Sequence, residues 1–90
     1  MATNKLPDKY VLTISMVTDE EPEEIVANRK YPHLSWALKE LSHRFEDDLK
    51  EFKSRAGYFP ETRELVRENL VQLSYETSAF RYRYYTVKPL

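Results

Sequence analysis

Residues 32–57, PHLSWALKELSHRFEDDLKEFKSRAG, carry the clearest periodicity in the chain. Leu34, Leu38, Leu41, Phe45, Leu49, Phe52 and Ala56 step by four, three, four, four, three and four residues, which draws one apolar stripe along a helix. Off that stripe Glu40 and Arg44, Glu46 and Lys50, and Glu51 and Arg55 each set an acid four residues before a base, the stabilising orientation on a helix surface. Gly57, the only glycine, follows at once, where a left-handed C-terminal cap favours a residue without a Cβ. The spacing predicts a helix over 32–56.

Working outward, Pro60 and Glu61 suit the first turn of a further helix, and Leu65, Val66, Leu70 and Leu73 then share a helical face to about Glu76. The two segments predict a helix hairpin turning on Gly57 to Phe59. Upstream, Tyr10, Leu12, Ile14 and Met16 alternate with Val11, Thr13, Ser15 and Val17, the period of a strand with one buried face. Residues 18–24 carry five acids and no base, and Pro22 among carboxylates suits the first turn of a short helix reaching Asn28. The end of the chain, Ala79 to Val87, is aromatic and β-branched and predicts a second strand, closed by Pro89. Phe80, Tyr82 and Tyr84 fall on one face of it and Arg81, Arg83 and Tyr85 on the other. The expected fold class is α+β, in the order β-α-α-α-β. An antiparallel helix hairpin packs on a small sheet formed by the N- and C-terminal strands, all within one domain whose residues 1–8 form a flexible lead-in. A two-stranded ribbon is marginal by itself, and its open edges would let a homodimer or higher oligomer continue the sheet.

Ninety residues bury only about 60–65% of their unfolded surface, which leaves little area for a deep substrate pocket. The 14 basic and 15 acidic residues nearly cancel, so attraction to nucleic acid must come from a local patch. The absence of cysteine removes disulfides, thiolate metal sites and thiol nucleophiles together. No apolar run has the length of a signal peptide or a membrane span, and a cytoplasmic protein with no membrane partner is expected.

Few residues offer chemistry. Glu40 and His43 have the Glu-x-x-His spacing of carboxylate-bridged metal bundles, but such a site needs two of these motifs, and a solvated helical pair is the plainer account. Ser35 and Ser42 lack a nucleophile-elbow context, and one glycine cannot build a phosphate-cradling loop. No catalytic residue, cofactor or metal is therefore assigned. The candidate binding residues are Arg81, Tyr82, Arg83, Tyr84 and Tyr85, whose alternating guanidinium and aromatic groups could stack bases and neutralise phosphates. The bland alternative packs Phe80, Tyr82 and Tyr84 on the helices. Asp19, Glu20 and Glu21 could dock a basic partner, or simply be solvated charge at a helix start. Trp36, on the flank of the long helix, could anchor an interface or line the core rim. A small non-enzymatic regulatory or inhibitory protein that acts on a protein partner is the expected function. Binding of single-stranded nucleic acid or a nucleotide through the C-terminal strand is the alternative.

Overall fold

The computed structural model describes residues 6–78 and 80–90. The elements are β1 (Tyr10–Thr18), β2 (Glu24–Tyr31), α1 (Leu34–Ala56), β3 (Thr62–Arg67), β4 (Leu70–Ser78) and β5 (Arg81–Pro89). The strands form a single sheet in the order β2-β1-β5-β4-β3, with every neighbouring pair antiparallel. This corrects the expected β-α-α-α-β order: the described residues contain one helix, and the helix hairpin is absent from them. The terminal strands do pair, Tyr10 to Thr18 against Pro89 to Arg81. Their outer edges are not open, because β2 covers β1 and β4 covers β5.

The long helix forms where its stripe requires, with Ala37, Leu41, Phe45 and Phe52 buried and both ends of the stripe, Leu34 and Ala56, exposed. Gly57 caps it with φ 83°, and its N–H donates to the Lys53 carbonyl at 2.8 Å. Of the three expected acid-base pairs Glu51 and Arg55 meet, at 3.9 Å, while His43 faces Asp47 at 3.7 Å.

Residues 22–28 do not continue as a helix. Glu24 to Tyr31 pair with β1, and the register jumps so that Ser15 faces Ile25 while Ile14 faces Ala27, leaving Val26 as the extra residue of a bulge. Residues 61–76 are likewise strand: Arg67 faces Leu70 across the two-residue turn Glu68-Asn69, and the ladder runs without a break to Thr62 opposite Tyr75. β-branched Thr62, Val66, Val71 and Thr77 suit a pleated surface better than a helix interior.

One face of the sheet receives α1. Leu12 and Ile14 from β1, Tyr85 and Val87 from β5 and Tyr75 from β4 form the core with Ala37, Leu41, Phe45 and Phe52. Rings dominate it: Phe45 meets Tyr85 edge-on at 5.2 Å, Phe52 meets Tyr75 at 5.7 Å, and Tyr75 stacks on Tyr85 at 6.2 Å between centroids. Such pairs add about 0.5–1.5 kcal/mol each beyond burial. β5 is thus turned over relative to the bland sequence reading. Tyr85 and Val87 face the helix, and Tyr82 and Tyr84 face away, with Phe80 67% exposed.

Of the lead-in expected over residues 1–8, 1–5 lie outside the described residues, and Leu6, Pro7 and Asp8 are exposed. Ala79, expected as the first strand residue, also lies outside them. No helix of the described residues is long and apolar enough to cross a membrane.

Candidate functional site

Because α1 covers only one side, the other face of the sheet is uncovered, and cross-strand register gives its layout. Ile25, Ser15, Tyr84, Ser74 and Arg63 form one row, and Asn28, Thr13, Thr86, Gln72 and Leu65 the next. Lys30, Val11 and Lys88 follow at one end, with Arg67 on the same face of β3, and Tyr82 faces Glu76 at the other end. Tyr82 and Tyr84 therefore stand on the middle strand, ring centroids 6.4 Å apart, with the small Ser15 and Ser74 flanking Tyr84. The charges of this face within the strands are Lys30, Lys88, Arg63 and Arg67 against Glu76 alone, in a chain of net charge −1. A Gln72 to Thr86 hydrogen bond of 3.0 Å ties two central strands on this side.

The edge of the sheet at β3 is the second feature. All six of its residues are exposed, Leu65 at 39% and Val66 at 62%, and no bulge or internal proline interrupts it. The other edge, β2, carries the Val26 bulge, a device that blunts strand pairing.

The candidate residues read from the sequence are thus distributed over several places. Tyr82 and Tyr84 share the uncovered face, whereas Arg81, Arg83 and Tyr85 lie on the helix side of the same strand. Tyr85 is fully buried and donates its hydroxyl proton to the Asp48 carboxylate on α1. Burial first, and that hydrogen bond second, push its pKa far above the usual tyrosine range. Arg83 stands 3.5 Å from the same carboxylate, with its Nε buried and lacking a partner among the described residues. These two residues fasten α1 to the sheet and are not exposed for stacking bases. Asp19, Glu20 and Glu21 sit in the turn after β1, where the Glu21 N–H donates to Thr18 Oγ1 at 3.0 Å. They line a surface groove of about 410 Å³ with Phe80 and Arg81. Trp36 is 54% exposed in the first turn of α1, edge-on to His33 at 4.6 Å, away from the tyrosine face.

Sequence reading missed Lys30, Arg63, Arg67, Leu65, Val66 and Asp48. A two-strand reading of 62–78 would have alternated Arg63, Leu65 and Arg67 against Glu64 and Val66 and found the edge, while nothing local marks Asp48 as a partner of residues 83 and 85. Among the described residues no group of three or more His, Cys, Asp or Glu side chains is placed to hold a metal ion. Glu40 and His43 have no part in such a group, since His43 is exposed beside Asp47.

Comparison with known proteins finds no family model, no curated protein and no solved structure that matches the chain.

Proposed function

We propose that the protein is a small binding module that takes an extended segment of a partner protein as an added strand along β3. The observation that carries this reading is a straight, six-residue edge strand with every residue exposed and two adjacent apolar side chains, outside the cover of α1. An uncovered edge offers a row of backbone donors and acceptors that give affinity, while alternate side chains give selectivity.

The charges on β3 choose the partner. Arg63, Leu65 and Arg67 project to the uncovered face, and Thr62, Glu64 and Val66 to the helix side. In a two-fold antiparallel self-pairing that keeps like faces together, centring on residue 64 sets Glu64 against Glu64, and centring on residue 65 sets Arg63 against Arg67. Centring on residue 63 or 67 sets an arginine against its own copy, and centring on Val66 pairs only three strand residues from each copy. Like charges directly opposite are destabilising in a sheet, so a different chain suits this edge better than a second copy. Its complement, opposite Arg67 through Arg63 in turn, reads acid, apolar, apolar, polar, acid.

Selection from a displayed random-peptide library against the whole protein tests this. Enriched peptides are expected to follow that pattern, and the Arg63→Glu, Arg67→Glu double variant is expected to enrich basic residues at the outer positions instead. Enrichment that ignores the charge reversal, or none, refutes strand addition at β3.

A second reading rests on the tyrosine face. Two aromatic rings at i and i+2 on a central strand suit stacked bases of a single strand of RNA or DNA, with Arg63, Lys30, Lys88 and Arg67 on the same face and the acids Glu61 and Glu76 beside Tyr82. Base stacking contributes about 1–3 kcal/mol per base, so replacing both Tyr82 and Tyr84 with Ala should weaken oligonucleotide binding at least tenfold in fluorescence anisotropy. Unchanged affinity in that variant rejects the reading. Arg81, Arg83 and Tyr85 have no place in it, since they lie across the sheet.

A further inference from the structure

On the helix side, where the last turn of α1 ends over the sheet, a cleft of about 460 Å³ opens between Phe52, Arg55 and Ala56 of the helix and Met16, Tyr75, Thr77, Ser78, Arg81 and Arg83 of the strands. Three of its lining residues are arginines and none is a carboxylate. Two of the three already have a carboxylate nearby: Arg83 meets Asp48 at 3.5 Å and Arg55 meets Glu51 at 3.9 Å. Arg81 also borders the groove of Asp19, Glu20 and Glu21 but forms no ion pair with them or with another described residue, and Arg83 keeps a buried Nε–H donor without a partner among the described residues. The floor is apolar and aromatic: Phe52 and Tyr75 meet edge-on with centroids 5.7 Å apart, and both are buried. Thr77 and Ser78 add hydroxyls at the rim, the Thr77 Oγ1 donating to the Arg81 carbonyl at 3.4 Å.

We infer that this cleft binds a small phosphate ester carried on a planar aromatic body, with Arg81 and Arg55 engaging the phosphate and the ring resting against Phe52 and Tyr75. Guanidinium groups match a phosphate bidentately and are less strongly hydrated than ammonium groups, so the site's chemistry is that of an oxyanion and not of a cation or a neutral sugar. The volume falls within the roughly 300–1,000 Å³ that small-ligand clefts occupy, and an apolar floor with a few convergent polar groups is their usual lining. The end of α1 exposes carbonyls that repel an anion, and Lys53 and Arg55 in its last turn offset them. This site lies on the opposite side of the sheet from the tyrosine face and includes no residue of β3, although its Tyr75 pairs with Thr62 there, so its test by Arg81 variants stands or falls separately from both readings above.

The test titrates the whole protein with adenosine monophosphate, phenyl phosphate and inorganic phosphate, followed by amide chemical shifts. Both esters are expected to saturate residues 52–56, 75–78 and 81–83, at least tenfold more tightly than inorganic phosphate. Preference for the nucleotide over phenyl phosphate would name a nucleotide as the natural source, and the reverse an aryl phosphate such as phosphotyrosine. Arg81→Ala, at an exposed side chain, should retain the parent's circular dichroism spectrum and weaken both esters at least tenfold. Arg81→Lys should restore only part of the loss. The inference is overturned if no probe saturates, if inorganic phosphate binds as tightly as the esters, or if Arg81→Ala binds as the parent does.

Discussion

Removing the Asp48 carboxylate should expose how much of the fold depends on one polar contact beneath the helix. Asp48 accepts the proton of the fully buried Tyr85 and stands 3.5 Å from Arg83, the side chains of the Asp48–Arg83 pair retaining 22% and 24% of their exposure. A hydrogen bond to a charged group contributes about 1.5–3 kcal/mol, and its loss here leaves a buried phenol hydroxyl with only the neighbouring Tyr75 hydroxyl to turn to. The ion pair is partly screened by solvent and adds about 1 kcal/mol at most. Alanine returns up to about 0.7 kcal/mol through its better helix propensity. Asp48→Ala should therefore lose about 2–3 kcal/mol, or roughly 10–20 °C in Tm for a domain of this size. Tyr85→Phe removes the donor but leaves Asp48 with Arg83, and should lose about 1–2 kcal/mol. Urea unfolding of the parent, the two single variants and the double variant gives the coupling, expected at about 1.5 kcal/mol because both singles delete the same bond. Additivity within about 0.5 kcal/mol would refute the assignment of Asp48 as the acceptor that holds Tyr85.

Alkaline pH should act through the same tyrosine. Its folded pKa is raised from 10.0, so below about pH 10 both states keep the proton and stability is flat. Above it the unfolded chain loses a proton that the folded chain retains, and stability falls by about 1.4 kcal/mol per pH unit for this group. Tyr31, also raised, by burial first and then by the Glu40 carboxylate, adds a loss of the same sign. Urea midpoints of Tyr85→Phe should therefore fall less steeply than the parent's above about pH 10, and parallel curves would contradict the burial argument. Phe80 holds φ 63° with an exposed ring. Relief of the left-handed penalty of about 1–2 kcal/mol, less the unfolded-chain entropy that glycine adds, should make Phe80→Gly about 0.5 kcal/mol more stable by thermal melting. A lower Tm would show that the Phe80 ring contributes packing.

How much of this was legible in the sequence follows from which patterns are unique to one element. The stripe from Leu38 to Phe52 repeats over four turns, which no strand can imitate, and Tyr10 to Val17 alternates over eight residues, which no helix can imitate. Between Glu61 and Glu76 the spacing deceives. Leu65, Val66, Leu70 and Leu73 fall on a helical face only because a two-residue turn separates two strands at an interval close to one helical repeat. That turn is Glu68-Asn69, without the glycine that usually signals a tight hairpin. Just before β2 the acids around Pro22 imitate a helix start, while within it the Val26 bulge breaks the alternation that would have shown a strand. The candidate site was half legible: Tyr82 and Tyr84 are displayed as a binding reading requires, but the cations that share their face come from β1's and β4's partner strands and from the far end of β5, which no local pattern links.

The phase of β5 is the deepest ambiguity, and a single carboxylate bears on it. Because strand side chains alternate, turning β5 by one residue exchanges everything it sends to either face. Phe80, Tyr82 and Tyr84 are as apolar as Tyr85 and Val87, and facing them inward would leave Arg81 and Arg83 in water, which composition favours. The observed phase places Arg83 beneath the helix instead, a cost that Asp48 offsets by meeting both Arg83 and the Tyr85 hydroxyl. It also lets Val87 sit between Leu12 and Val71 in the register and Tyr85 between Ile14 and Leu73, so the buried rows are continuous across three strands. Two surfaces follow from that choice: the tyrosine pair is released to the uncovered face, and Arg81 is carried to the mouth of the cleft at the end of α1. Asp48 lines neither surface, though its partner Arg83 borders the cleft, and it offsets the cost of burying Arg83 that comes with the phase creating both.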